Sequence, residues 1–130
     1  MLADHDAMAT LAVKDLDAAR KYYEDVLGFK PVGDSPGGVL YTAGSTSFLV
    51  YASEFAGTSR STAISFEIPD AAFDSEAADL RSRGVSFDEF EMEGIEWNDG
   101  VASMGDGRAA WFTDPDGNIL NIQASVGRPA

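Results

Sequence analysis

The sequence predicts an α+β fold made of two βαβββ modules. Two strand–helix units, each closed by a glycine, and two strand pairs that superpose without a gap carry the prediction. Module 1 covers about residues 6–53 and module 2 about 61–125, with a connector at about 54–60 in a single domain of 1–130.

The first unit is "AVKDLDAARKYYEDVLGFKPV". A short apolar strand ends at Val13, and Asp15 has the chemistry of a helix N-cap. Leu16, Ala19, Tyr23, Val26 and Leu27 form a helical stripe, and Gly28 follows as the residue that ends the helix. "FEIPDAAFDSEAADLRSRGVSF" repeats the plan: a strand to Ile68, Asp70 as the cap, the stripe Phe73, Ala77 and Leu80, then Gly84. The stretch "LYTAGSTSFLVY" lies over "WFTDPDGNILNI", so Tyr41 falls on Phe112 and Val50 on Asn121. Asp-Pro-Asp-Gly between apolar runs reads as a hairpin turn, with Thr113 expected opposite Asn118, Phe112 opposite Ile119 and Trp111 opposite Leu120. "SPGG" at Ser35–Gly38 is a turn, because it lacks the lysine and the strand–loop–helix setting of a phosphate loop. Two copies of the plan are too few for a solenoid.

Composition narrows the function. The 130 residues contain 45% apolar residues, enough for a core, and no run long enough to span a membrane. The N-terminus lacks the basic and apolar regions of a secretory leader. There is no cysteine, which excludes disulfides, thiolate metal sites and a cysteine nucleophile, and fits a cytoplasmic protein. The net charge of −13, from 22 acidic and 9 basic residues, speaks against nucleic acid. It suits either simple solubility or attraction of a cationic ligand.

Strand alternation sorts the side chains into two faces. Leu11, Val13, Leu49, Tyr51, Ile64, Phe66, Ile68, Leu120 and Ile122 form an apolar set expected to face the helices. The opposite set contains Met8, Thr10, Ala12, Phe48, Val50, Ala52, Ala63, Ser65, Ile119, Asn121 and Gln123, to which Tyr41 and Phe112 are added as cross-strand partners. Threonine, serine, asparagine and glutamine together suit a partly wet cavity better than a core.

"LAVKDLDAARKYYEDVLGF" followed by "AAWFTDPDGNILNI" resembles the vicinal oxygen chelate superfamily of glyoxalase I, bleomycin-resistance proteins and extradiol dioxygenases. The resemblance implies the glyoxalase/bleomycin-resistance fold, with curled mixed sheets around a cleft and commonly a homodimer. Metal-dependent members carry His, Gln or Glu on four strands, at positions that correspond here to Met8, Val50, Ala63 and Asn121. A thioether, two hydrocarbons and a neutral amide cannot replace those donors, so no metal and no cofactor is expected.

The ligand-binding candidates are therefore Met8, Thr10, Tyr41, Phe48, Val50, Ala63, Ser65, Phe112, Asn121 and Gln123. The polar members either orient a ligand or form a satisfied cluster around water. The aromatic ones either stack on a planar ligand or pack the modules. Trp97 joins them from "FDEFEMEGIEWNDG", which is either a solvated edge strand or an acidic, aromatic rim for a cationic guest. Glu67 is the one candidate base, provided it is buried. His5 is expected to be exposed near the terminus. The expected function is a small-molecule binding protein that sequesters a cationic or aromatic compound such as an antibiotic. The alternative is an enzyme of the same superfamily, a glyoxalase-like lyase or a dioxygenase, metal-free or with an unusual site. Neither nucleic acid nor membrane is expected as a partner.

Overall fold

The structure is a computed structural model and describes residues 1–91, 93–105 and 107–125. It divides into two compact units: one holds Met1–Ser59 with Pro115–Asn118, the other Arg60–Asp114 with the chain from Ile119 onward. Among the described residues no helix is long and apolar enough to cross a membrane.

The first unit is built on β1 (Ala9–Val13), a helix, β2 (Pro31–Ser35), β3 (Gly38–Ala43) and β4 (Thr46–Ala52). Helix α1 (Leu16–Arg20) is capped by Asp15, whose carboxylate accepts from Ala18 N at 3.2 Å. It runs on as a π-helical segment over Lys21–Val26, in which Leu27 N–H reaches back to Tyr22 O. The sheet order is β1-β4-β3-β2, with β1 parallel to β4 and the other pairs antiparallel.

Register fixes the faces of this sheet. Leu11 lies beside Val50, Val50 beside Val39, and Tyr41 beside Phe48. These residues are fully or almost fully buried, together with Val13 and the helical Tyr23. Tyr23 packs on Tyr41 and Phe48 at ring distances of 5.9 and 6.0 Å, and Phe29 meets Phe48 edge-on at 5.0 Å. The helix-covered face therefore carries Tyr41, Phe48 and Val50. Leu49 and Tyr51 take the opposite face with Thr10 and Ala12, the reverse of the alternation-based expectation for β3 and β4. Tyr23 and Phe29 pack on Tyr41 and Phe48, and this aromatic cluster goes with the register observed.

The second unit contains β5 (Thr62–Glu67), α2 (Asp70–Ser82), β6 (Glu96–Asn98), β7 (Val101–Met104), β8 (Gly107–Thr113) and β9 (Ile119–Ser125), in the order β5-β9-β8-β7-β6. It has one strand more than the repeat predicts. The β6–β7 pair turns through Asp99 and Gly100, both at positive φ. A side chain at position 100 would place its Cβ 2.8 Å from Phe87 Cβ, so only glycine fits. Helix α2 buries Phe73, Ala77 and Leu80 and ends with Gly84 N–H on Arg81 O and Val85 N–H on Leu80 O, the paired bonds of a Schellman stop. The N-cap is Pro69, not Asp70. Asp70 is the first helical residue and its carboxylate accepts from Arg108.

Phe112 pairs with Leu120, Trp111 with Asn121 and Thr113 with Ile119. Each pairing is one residue away from the register that the first half suggests, and the slip moves Phe112 to the helix side and Trp111 to the open side. The cause is Asn118. Its side-chain amide donates to Ala12 O at 2.8 Å, so the strand begins only at Ile119 and the connection becomes one residue longer.

Candidate functional site

On the second sheet, the face turned away from α2 is defined by register: Ser65 beside Asn121, Asn121 beside Trp111, Glu67 beside Gln123, and Gln123 beside Ala109. Ser65, Asn121 and Gln123 thus lie on the face that alternation assigned to them. Ala63 is the extra residue of a β-bulge between Thr62 and Ile64, and it is exposed. The bulge makes it a poor position from which to aim a side chain in step with Asn121.

Asn121 is 4% exposed, and its Oδ1 is the one buried side-chain polar atom among the described residues without a hydrogen-bond partner. A buried acceptor left in that state costs about 1–3 kcal/mol, so it marks a place where an outside donor would be gained at full value. Beside it, the Trp111 indole donates to Thr62 Oγ1 at 3.1 Å, which fixes the ring.

The acidic stretch borders this sheet beside β8. Asp88 N–H bonds to Trp111 O at 2.8 Å, an isolated bridge that brings Phe90 over the sheet. Phe90 stands edge-on to Trp111 at 5.0 Å and to Trp97 at 5.2 Å, with the two indoles 6.0 Å apart. Ala102, Ala109, Ile95 and Ile119 pack around them. An open groove of about 660 Å³ is lined by Glu89, Phe90, Glu91, Glu93, Ile95 and Trp97. Phe90 remains 42% exposed. Glu89 is tied by its Oε2 to Gly100 N–H at 2.8 Å. The sequence offers this stretch either as a solvated edge strand or as an acidic, aromatic rim, with Trp97 as its named ligand-binding candidate. Acids interleaved with aromatics were visible in it, but the fold-back of Phe90 depends on the bridge at Asp88.

Other candidates fall elsewhere. Tyr41, Phe48 and Val50 belong to the helix-covered core of the first unit, and Phe112 to that of the second, where it meets Phe87 at 6.3 Å. Their expected exposure to a cavity is corrected accordingly. Tyr41 donates its phenol to Glu24 Oε2 at 2.8 Å, and Arg20 holds the same carboxylate at 2.9 Å. Burial, followed by the bond to that carboxylate, raises the Tyr41 pKa well above its ordinary value. Thr10 is exposed on the open face of the first sheet, and Met8, just before β1, is 47% exposed. Glu67 is exposed and accepts from Gln123 at 2.9 Å, so it is not the buried carboxylate that the role of a base was expected to need. His5 is exposed.

The four strand positions that hold metal ligands in metal-dependent relatives do not fit a divalent cation here. Val50 is a core hydrocarbon, Ala63 sits in a bulge, Met8 is a thioether on the surface, and Asn121 offers one neutral oxygen. Among the described residues, no three His, Cys, Asp or Glu side chains come together as a metal-holding group.

Residues 5–122 match the model of the Glyoxalase/Bleomycin resistance protein/Dioxygenase superfamily, and the chain belongs to that superfamily. Its fold is shared with the fosfomycin resistance protein FosX from Mesorhizobium loti at 20% identity and a TM-score of 0.66, over 95% of this chain and 94% of that one. The Listeria monocytogenes FosX solved with Mn(II) and sulfate gives 16%, 0.68, 95% and 91%. A glyoxalase family protein from Bacillus anthracis gives 14%, 0.70, 93% and 96%. No match was found among curated protein sequences.

Proposed function

We propose that the protein binds and sequesters a small molecule and does not act as a metal-dependent enzyme. The observation that carries this reading is the unpartnered, buried Oδ1 of Asn121. In this superfamily that strand position faces the ligand. Here it offers a hydrogen-bond acceptor, flanked by Ser65 and an indole, in place of a metal-binding carboxylate. Neutral polar groups set among aromatic rings orient small ligands without chemistry. A soluble, cytoplasmic homodimer belongs to the same proposal, since each sheet keeps one face without a helix. Light scattering that gives a monomer mass at tens of micromolar would remove the dimer from it.

A thermal-shift screen over antibiotics and metabolites tests the reading, because a ligand that binds only the folded state raises the melting temperature. A hit should lose its shift in Asn121→Leu. An enzyme of the superfamily is the second reading, favoured by the fold shared with the Listeria protein solved with Mn(II). Elemental analysis separates the two. Stoichiometric metal whose removal by a chelator abolishes activity would overturn the binding-only proposal.

A further inference from the structure

From the groove on the second unit, we infer that the ligand class is an organic cation, with Phe90 and Trp97 as its aromatic seat and Glu89, Glu91 and Glu93 as its counter-charges. The inference deepens the binding proposal and rests on it.

The seat comes first. An exposed phenylalanine edge-stacked on two indoles is a fixed surface, because Phe90 is gripped by Trp97 and Trp111 while 42% of it stays open. Such a ring pair offers π-density to a guest at little ordering cost. Aromatic faces alone would accept neutral planar molecules equally well.

Charge decides the occupant. Among the described residues, the groove lining holds three glutamates and no basic side chain. Among the described residues no ion pair neutralises them: Arg20, Arg81, Arg83 and Arg108 pair with Glu24, Asp34, Asp70, Asp74, Asp79 and Asp99. Glu89 is held toward the β6–β7 turn by Gly100 N–H, a bond that uses one of its oxygens and fixes the carboxylate's place. A metal ion is a poor occupant, because hard cations seek convergent oxygens and, among the described residues, no three acidic or other metal-ligating side chains come together. A quaternary ammonium or another soft organic cation matches both features, since it is weakly hydrated, attracted by aromatic faces and drawn by the net charge of −13. A neutral aromatic or an anion gains nothing from the glutamates.

Choline and its uncharged isostere 3,3-dimethylbutanol test this directly on the full chain, with benzyltrimethylammonium as a second cationic probe. Binding is followed by the indole N–H resonances of Trp97 and Trp111. Saturable shifts of Trp97 with both cations, at least about tenfold weaker binding of the isostere, and weakening with added salt are expected. Glu91→Gln with Glu93→Gln should weaken both cations by about tenfold while leaving the melting temperature unchanged, because both residues are exposed. Phe90→Leu keeps the groove apolar and should weaken the cations more than any neutral probe. Equal binding of choline and its isostere, or no saturable shift of Trp97 by either cation, overturns the inference. If a neutral screening hit shifts Trp111 and loses affinity in Asn121→Leu while the cations fail, only the cation assignment is lost. If nothing perturbs either indole, both proposals are lost.

Discussion

Replacing Tyr41 by phenylalanine tests where the first sheet puts its aromatic residues. The ring is fully buried, and the phenol donates to Glu24 Oε2 at 2.8 Å while Arg20 occupies the same oxygen at 2.9 Å. Tyr41→Phe keeps the packing against Tyr23 and Phe48 and deletes one bond to a charged acceptor. Glu24 keeps Arg20, so the cost near neutrality should be about 1–2 kcal/mol. The pH dependence is the sharper test. Burial and the Glu24 carboxylate hold the folded-state pKa above the unfolded value near 10. As pH rises, the unfolded chain gives up this proton first. The phenol's contribution is therefore intact below about pH 10 and is lost as pH climbs toward the folded pKa. Wild type should lose about 1.4 kcal/mol per pH unit beyond 10 that the variant does not lose. Urea melts at pH 8 and pH 11 should show the gap shrinking to near zero. A gap that does not change with pH would mean the phenol titrates freely, and would return Tyr41, Phe48 and Val50 to an open face.

Asn121→Leu should stabilise the ligand-free protein by about 1 kcal/mol, because it removes an unpaired buried acceptor, and a denaturant melt that shows clear destabilisation would point to a hidden partner. Asn121→Glu should be less stable at pH 7.5 than at pH 4.5 relative to wild type. A carboxylate in that buried position has its folded pKa raised, so its stability falls as pH rises from the unfolded value near 4.3. Arg108→Met removes the fork onto Asp70 and Asp74 and the guanidinium lying 4.6 Å from the Phe73 ring centre. A loss of about 1 kcal/mol that shrinks in high salt is expected from thermal melts.

The helices were legible because their signals are local. Asp15 caps α1 as its chemistry suggests, and Gly28 and Gly84 both stand at positive φ just past a helix end. Phe73, Ala77 and Leu80 are buried at helical spacing. The faces of β5 and β9 could also be read, since serine, asparagine and glutamine share a side that no apolar core would choose. The faces of β3, β4 and β8 could not. Alternation fixes a strand only up to which face is inward, and that choice depends on partners distant in sequence. Tyr41 and Phe48 were drawn inward by Tyr23 and Phe29, and Phe112 was moved by a hydrogen bond from Asn118 to a carbonyl 106 residues earlier. A gapless overlay of the two halves cannot reveal either. The groove was half legible. The acidic and aromatic composition was plain, but the pairing of Asp88 with Trp111 that folds Phe90 onto the indoles is not encoded in any local pattern.

The loop Pro115–Asn118 has a consequence for the order in which the molecule is made. It belongs to the first unit, where Asp116 accepts from Lys14 N–H at 2.9 Å and Asn118 donates to Ala12 O. A growing chain that has emerged only as far as Ser59 therefore has the strands and helix of that unit but leaves the Ala12 carbonyl and the Lys14 amide without these partners. At ordinary elongation rates of about 5–20 residues per second, the missing loop follows roughly 3–12 s later. Through that interval the nascent unit is an incomplete structure held by its aromatic core. Its last hydrogen bonds wait until the Pro115–Asn118 segment has been made.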